Sequence, residues 1–168
     1  MSRAFVKESE GDEPGDLPEL PVSPYPNYVT PQGLAQLQLR LTNAEQQLAA
    51  IDPAALTARL DRAQITREIR WLQTRIGAAL LMPPERQAQD RVDIGATVEI
   101  EDEGGRRYRY TIVGEDEADP EQGLISWISP LARALKAAQV GDAVTWPRPA
   151  GDLTVVVLAL DYHRGMPS

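Results

Sequence analysis

A leucine-rich heptad pattern between residues 34 and 51 constrains the fold of this chain more than any other feature of its sequence. Apolar side chains recur there at alternating spacings of three and four residues: Leu34, Leu37, Leu41, Ala44, Leu48 and Ile51. This spacing places them on one stripe of an α-helix that packs along a single seam. Thr30 suits the N-cap of such a helix and Pro31 suits its first position, so we expect the helix to begin there.

A second heptad stripe follows after a short break. Asp52 and Pro53 are typical of a new helix start, with the aspartate as N-cap. The apolar positions of the second stripe are Ile65, Ile69, Leu72, Ile76 and Ala79. Pro83 ends this helix after Met82, because proline lacks the N–H that a helix interior requires. We therefore predict an antiparallel α-helical coiled-coil hairpin over residues 30–84.

Residues 93–162 have the alternating pattern of β-strands separated by glycine turns. Gly104 and Gly105 indicate a hairpin turn, and Ser129 is a suitable N-cap for one short helix over residues 131–138. The predicted strands are residues 96–100, 108–113, 124–128, 143–146 and 153–160. Mostly antiparallel strands with one short helix predict an α+β fold class for the chain as a whole.

The two ends of the chain are predicted to be tails. Residues 1–29 contain five prolines between Pro14 and Pro26, together with two basic and six acidic residues, which is typical of a disordered segment. Residues 163–168 form a short tail at the other end. The N-terminus has no hydrophobic region of the kind found in signal peptides, and no apolar run is long enough to cross a membrane, so we expect a cytoplasmic protein.

Composition and missing motifs exclude several classes of function. The chain has no cysteine, which rules out disulfides and thiol catalysis, and a net charge of −8 argues against a protein that simply coats DNA. It contains no Walker A loop, no dinucleotide-binding glycine fingerprint and no HExxH motif. The acidic residues 115–119 lack the spacing of a calcium loop. We therefore expect no enzymatic activity, no cofactor and no bound metal.

Only the middle of the chain is net positive. Residues 30–92 hold eight basic and six acidic residues, whereas both flanking segments are acidic. Five of the basic residues belong to the second helix: Arg59, Arg62, Arg67, Arg70 and Arg75. They form either a face that meets nucleic acid or an acidic protein, or an ordinary solvated face, and the sequence favours neither alternative.

Two long motifs in the second half resemble a known family. Residues 110–119 read YTIVGEDEAD and match the pattern Y-x-I-V-G-x-D-E-A-D, and residues 125–135 read ISWISPLARAL and match I-S-x-x-S-P-h-A-R-A-L, where h is apolar. Both patterns resemble the GreA/GreB family of bacterial transcription elongation factors. Residues 28–33 and 66–72 resemble the two helices of the family's coiled coil, so the resemblance covers residues 28–162.

The resemblance implies a fold and a partner. It implies an N-terminal coiled-coil hairpin followed by an FK506-binding-protein-like domain that docks on bacterial RNA polymerase at the rim of its secondary channel. The docking residues it implies are Ser129, Pro130, Arg133, Glu115, Asp116, Glu117 and Asp119. Because the hairpin enters the channel in this family, Arg59, Arg62, Arg67 and Arg70 become candidates for contact with the channel or with RNA or DNA. We expect the protein itself to be a monomer.

The sequence departs from the family at the tip of the hairpin. Family members carry two acidic residues there, in a G-D-x-x-E-N motif, which help to hold a Mg²⁺ ion for cleavage of backtracked RNA. The turn of this chain, residues 51–55, contains only Asp52, and the hairpin is shorter. A second departure is Ile128, where relatives often carry a polar residue. We expect polymerase binding with little or no stimulation of transcript cleavage.

Two alternatives stay open at this point. In the first, Asp52 and Asp61 replace the acidic pair and the protein is a cleavage-competent factor. In the second, the protein is a self-associating interaction module whose short hairpin pairs with that of a second copy.

Overall fold

The computed structural model describes residues 17–162. Two helices, α1 (Pro31–Ala50) and α2 (Ala58–Gly77), form an antiparallel hairpin, and a five-stranded sheet follows it. Twenty residues in each helix give the hairpin arms a length of about 30 Å. The predicted α+β architecture is therefore confirmed. Residues 1–16 and 163–168, which include most of the predicted acidic tail and all of the second tail, lie outside the described residues.

The seam of the hairpin is built from the predicted heptad positions. Leu37, Ala44, Ile69 and Leu72 are buried between the helices. The other stripe residues that pack against them are Leu34, Leu41, Leu48, Ile65, Ile76 and Ala79. Thr30 caps α1 as expected, since its Oγ1 accepts a hydrogen bond from the Gly33 N–H at 3.0 Å. The heptad spacing thus translates directly into one continuous apolar layer along the hairpin.

The base of the hairpin is closed by a small parallel sheet. Strand β1 (Asn27–Val29) precedes α1 and strand β2 (Ala79–Leu81) follows α2, and the two pair with Tyr28 opposite Leu80. This corrects two predictions. Residues 27–29 are not part of a disordered tail, and the second helix ends at Gly77 rather than near Met82, because the backbone of residues 79–81 forms strand hydrogen bonds with β1.

The start of α2 also differs from the prediction. The helix begins at Ala58, not at Pro53, and turns occupy residues 53–57. Asp52 Oδ1 accepts a hydrogen bond from the Ala54 N–H at 2.9 Å, which makes a local turn rather than an N-cap. Aspartate often stabilises such turns in place of a helix start, so the tip of the hairpin is a broader loop than expected.

The C-terminal domain is a curved mixed sheet with the strand order β5-β4-β3-β7-β6. Its strands are β3 (Thr97–Asp102), β4 (Arg107–Val113), β5 (Leu124–Ser126), β6 (Ala143–Trp146) and β7 (Leu153–Asp161). All neighbouring pairs are antiparallel as predicted except β4 and β5, which are parallel. The parallel pair arises because the chain crosses through two 3₁₀ turns, Glu115–Glu117 and Pro120–Gln122, instead of making a tight hairpin.

Curvature brings strands together that are not neighbours in the sheet. The Tyr108 ring on β4 lies 5.5 Å from the Trp146 ring on β6, although β3 and β7 separate these strands. Inside the curve lies the domain core, in which Ile100 and Val155 are completely buried. Helix α3 (Pro130–Leu135) closes one side of this core with its buried Leu135 and ends three residues earlier than predicted.

Within residues 17–162, no helix is both long enough and apolar enough to cross a membrane.

The buried seam predicts a large effect of a cavity in the hairpin. We expect Leu72→Ala to lower the free energy of unfolding by about 2–5 kcal/mol, because the Leu72 side chain has no exposed surface and its loss leaves a void. Leu39→Ala, at a position with 61% exposure on α1, is the matched control and should change it by less than about 1 kcal/mol. Urea denaturation followed by circular dichroism measures both. Equal losses in the two variants would contradict the described seam.

Candidate functional site

The S-P-L-A-R motif forms the start of α3, where Pro130 and Arg133 are exposed and Leu131 and Ala132 are buried. Ser129 Oγ accepts a hydrogen bond from the Ala132 N–H at 3.3 Å, and Pro130 occupies the first helical position. Arg133 is exposed one turn further along the helix. The structure therefore brings three of the predicted docking residues, Ser129, Pro130 and Arg133, onto one surface. It also gives the first two a structural task, since both stabilise the start of the helix.

An aromatic cluster borders this surface. The Trp127 ring makes edge contacts with Tyr28 at 5.1 Å and with Tyr25 at 6.1 Å between ring centroids. The Arg133 guanidinium lies 5.7 Å from the centroid of the Tyr25 ring, within the range of a cation–π interaction. Trp127 Nε1 is buried and has no hydrogen-bond partner within residues 17–162. The sequence did not indicate that Tyr25, from the predicted tail, would reach this site.

Most of the acidic loop faces the hairpin rather than solvent. The guanidinium of Arg75 on α2 is buried, and its Nε donates a hydrogen bond to Asp116 Oδ2 at 2.7 Å. Arg75 Nη2 also donates to Asn27 Oδ1 at 2.7 Å, while Asn27 Nδ2 donates to the Arg75 carbonyl at 2.7 Å. Glu115 Oε2 lies 3.9 Å from Arg75 Nη2, so it contributes charge without a hydrogen bond. We call the group of Arg75, Asn27, Asp116 and Glu115 the interdomain joint.

Glu117 forms a second contact between the loop and the hairpin. Its Oε2 accepts a hydrogen bond from Thr30 Oγ1 at 2.5 Å. Burial raises the pKa of Glu117, and the Thr30 hydrogen bond opposes this effect only in part. Backbone also approaches closely here, since a Cβ added at Gly114 would overlap the Tyr28 carbonyl oxygen. Residues 113–117, V-G-E-D-E, therefore bind the C-terminal domain to the base of the hairpin.

The four predicted acidic docking residues fall into two groups, one in contact with the hairpin and one exposed. Glu115, Asp116 and Glu117 are half-buried and have partners within the chain, whereas Asp119 is exposed. The sequence missed the joint because Asn27 and Arg75 are separated by 48 residues. One signal was present. Arg75 follows Leu72 by three residues, so both share the buried face of α2.

The tip of the hairpin gives each of the two candidate carboxylates its own local partner. Asp52 is hydrogen-bonded to the Ala54 N–H, and Asp61 Oδ2 accepts from Thr57 Oγ1 at 2.7 Å. Leu56 lies between them and is fully exposed. In the part of the chain that the structure describes, no group of three or more His, Cys, Asp or Glu side chains could hold a metal ion. Each carboxylate thus has a hydrogen-bond partner within the tip.

The arginines of α2 fall into two sets. Arg59 and Arg62 are exposed near the tip. Arg67 and Arg70 lie further along the helix, against residues 17–25, which run over α2 without forming helix or strand. Arg70 Nη2 is 2.6 Å from Glu19 Oε1, and Arg67 Nη1 donates to the Pro18 carbonyl at 3.4 Å. We call residues 17–25 the strap.

Trp71 completes the contact between the strap and the helix. Its Nε1 donates a hydrogen bond to the Pro21 carbonyl at 3.1 Å, and the Arg40 guanidinium lies 5.5 Å from its ring centroid. Trp71 thus lies under the strap, on the same helix face as Arg67 and Arg70.

Comparison with known proteins finds sequence similarity along most of the chain. Residues 87–162 match the family model described as "Transcription elongation factor, GreA/GreB, C-term". The chain is 37% identical over 155 residues to transcription elongation factor GreB of Neisseria meningitidis serogroup B, covering 82% of this chain and 95% of the relative. It is 36% identical over 151 residues to GreB of Xanthomonas axonopodis pv. citri, covering 80% and 90%. The crystal structure of GreA factor homolog 1 of Thermus thermophilus aligns with 82% of this chain and 99% of its own at 24% identity, with a TM-score of 0.40.

Near full-length similarity of this kind defines a class. The chain belongs to the GreA/GreB family of transcription elongation factors. This confirms the family expected from residues 110–119 and 125–135.

The interdomain joint predicts a strong effect of losing its arginine. We expect Arg75→Met to lower the free energy of unfolding by about 3 kcal/mol, because Asp116 and Asn27 then lose their buried partner. The double variant Arg75→Met/Asp116→Asn should lose less than the sum of the single variants. Chemical denaturation of the four proteins gives the coupling energy. Simple additivity would show that the contact contributes nothing to stability.

The raised pKa of Glu117 predicts a pH-dependent difference from Glu117→Gln. A carboxyl whose pKa is raised by folding contributes stability that is present below its unfolded pKa and is lost as pH rises through its folded pKa. Glutamine cannot ionise, yet its amide oxygen can still accept from Thr30. We therefore expect Glu117→Gln to gain stability relative to wild type between about pH 4 and pH 7.

Urea midpoints of wild type, Glu117→Gln and the exposed control Glu121→Gln, taken at both pH values, test this expectation. A difference that does not change with pH would contradict it.

Proposed function

We propose that this protein is a non-enzymatic regulator of bacterial transcription elongation. In this proposal it binds RNA polymerase at the rim of the secondary channel through its C-terminal domain and gives little or no stimulation of transcript cleavage. Its place of action is then the cytoplasm, where the polymerase works. The observation that carries the proposal is the combination of the exposed Pro130 and Arg133 at the start of α3 with a hairpin tip in which Asp52 and Asp61 each have a local hydrogen-bond partner.

The chemistry of cleavage explains why the tip matters. A second metal ion in a phosphodiester-cleaving site must be held by carboxylates whose free oxygens point at one position. Asp52 is hydrogen-bonded to its own turn, and Asp61 accepts from Thr57 in the first turn of α2. One oxygen of each carboxylate is therefore already engaged within the tip, and the two side chains share no hydrogen-bond partner there. The tip therefore favours occupancy of the channel over delivery of a metal ion.

The exposed end of α3 supports docking. Pro130 and Arg133 are solvent-accessible, and the Arg133 guanidinium lies over the Tyr25 ring, so the surface combines a cation, an aromatic ring and a rigid helix start. Interfaces are enriched in these residue types. In this proposal Glu115, Asp116 and Glu117 do not contact the polymerase. They position the hairpin relative to the docking surface through their contacts with its base. Asp119 is the acidic residue that is exposed for direct contact.

Binding to core RNA polymerase tests the docking surface. We expect Arg133→Glu to weaken binding by about tenfold or more, because the substitution reverses a charge at the centre of the proposed interface. Lys136→Glu makes the same change of charge at an exposed position just beyond α3 and should have a smaller effect. Fluorescence anisotropy with labelled protein measures both affinities. No binding of the wild type at micromolar concentration would refute the proposed function.

A transcript-cleavage assay on a stalled elongation complex tests the tip. We expect no acceleration of cleavage above the polymerase's own rate, with Asp52→Ala and Asp61→Ala behaving like wild type. Rapid cleavage that is lost in Asp52→Ala would instead establish the alternative in which Asp52 and Asp61 replace the family's acidic pair.

Self-association is the third hypothesis. The heptad seam that would pair with a second copy is already buried between α1 and α2 of the same chain. This favours a monomer. Analytical ultracentrifugation distinguishes the two, and a stable dimer that dissociates when the seam of the hairpin is altered would favour the interaction module.

A further inference from the structure

The strap connects both halves of the molecule. Its N-terminal part lies on α2, where Glu19 pairs with Arg70 and the Pro21 carbonyl accepts from Trp71. Its C-terminal part reaches the C-terminal domain, where Ser23 Oγ donates to Glu115 Oε1 at 2.9 Å and Tyr25 covers Trp127 and Arg133. The strap therefore occupies the arginine face of α2 and the border of the α3 surface at the same time.

We propose that the strap is an intramolecular competitor for the polymerase. It binds a composite surface formed by Arg67, Arg70 and Trp71 of α2 and by Trp127 and Arg133 of the C-terminal domain. An extended acidic segment of the polymerase takes the place of the strap on this surface when the protein docks. This inference rests on the proposed function and adds to it the chemistry of the partner and an autoinhibited state.

The contacts of the strap define what the surface recognises. Arg70 binds a carboxylate, and Trp71 and Arg67 donate hydrogen bonds to backbone carbonyls three residues apart in a proline-rich segment. Carbonyls at that spacing point the same way in a polyproline-like chain, which has three residues per turn. Aromatic side chains that read extended proline-containing peptides are a recurring recognition mode. A peptide fits this pattern better than nucleic acid, because Trp71 uses its N–H to bind a backbone carbonyl.

The strap is held loosely enough to be displaced. The side chains of Arg70 and Glu19 remain 49% and 63% exposed, and ion pairs with that exposure are weak. Residues 17–25 form no strand or helix, whereas residues 27–29 are fixed by their pairing with β2. Release can therefore stop at Pro26 without disturbing the base of the hairpin. Segments with few buried contacts open locally at low cost.

Two substitutions that break the same ion pair separate competition from a purely structural role. We expect Glu19→Gln to bind core polymerase several-fold more tightly than wild type, since it weakens the competitor and leaves the surface intact. We expect Arg70→Gln to bind more weakly than Glu19→Gln, because it removes a contact that the polymerase segment also needs. Glu45→Gln, at an exposed glutamate on α1, is the charge-matched control and should bind like wild type.

A protease measurement reports on the strap independently of polymerase. A protease of broad specificity should cleave the full chain within residues 17–25 several-fold faster in Glu19→Gln and in Arg70→Gln than in wild type. Added polymerase should expose the same segment in the wild type, because it displaces the strap.

The possible outcomes are distinct. Tighter binding by Glu19→Gln than by both wild type and Arg70→Gln, with opening of the strap in both variants, supports the inference. Equal affinities for wild type and both variants overturn the inference and leave the proposed function standing. An effect of Arg70→Gln that appears only with RNA-containing elongation complexes, and not with core polymerase, overturns the peptide assignment in favour of nucleic acid. No binding by any of the proteins overturns the proposed function together with this inference.

Discussion

The buried guanidinium of Arg75 is the interaction on which the arrangement of the molecule depends. It lies where α2, β1 and the acidic loop meet, and it is 2% exposed. Its partners come from two separate parts of the chain: Asn27 before the hairpin, and the adjacent Glu115 and Asp116 after it. A planar, always charged group can satisfy several acceptors at fixed angles, which an ammonium group cannot do. Together with the Thr30–Glu117 contact, this one side chain therefore sets the relative position of hairpin and domain.

This arrangement changes the meaning of the family motif. The residues of V-G-E-D-E look like a surface signature in the sequence, because acidic residues near a turn usually face solvent. In the structure, Glu115, Asp116 and Glu117 are half-buried against the base of the hairpin, and Gly114 permits the backbone of β1 to approach. Part of the motif therefore serves to build the molecule, and only Asp119 is exposed in the way that a direct contact requires.

The sequence predicted local structure well wherever the relevant interactions are local. Heptad spacing identified both helices, and the caps Thr30 and Ser129 lie where side-chain oxygens can meet the first free N–H groups. The prediction of the end of α2 was wrong because strand β1, about 50 residues earlier, competes for the backbone of residues 79–81. Single-sequence patterns contain no information about such distant pairings.

In the candidate site, too, the local contacts were predictable from the sequence and the distant ones were not. The end of α3 could be predicted, since Ser129, Pro130 and Arg133 are close in sequence. The contribution of Tyr25 could not, because it depends on a segment whose composition is typical of disorder. Glu19 and the prolines of the strap lack the apolar content to fold alone and become ordered only on a surface that the rest of the chain provides.

The parallel pair of β1 and β2 has a consequence for how this architecture can vary. By joining the residues just before α1 to those just after α2, it closes the hairpin at its root, so the tip is the free end of a closed loop. Whole heptads added or removed there change how far the hairpin extends, while Asn27, Arg75 and the acidic loop stay in place. Reach and attachment are therefore separate properties of this fold. Each can change without the other, which gives one scaffold access to hairpins of different length with different tips.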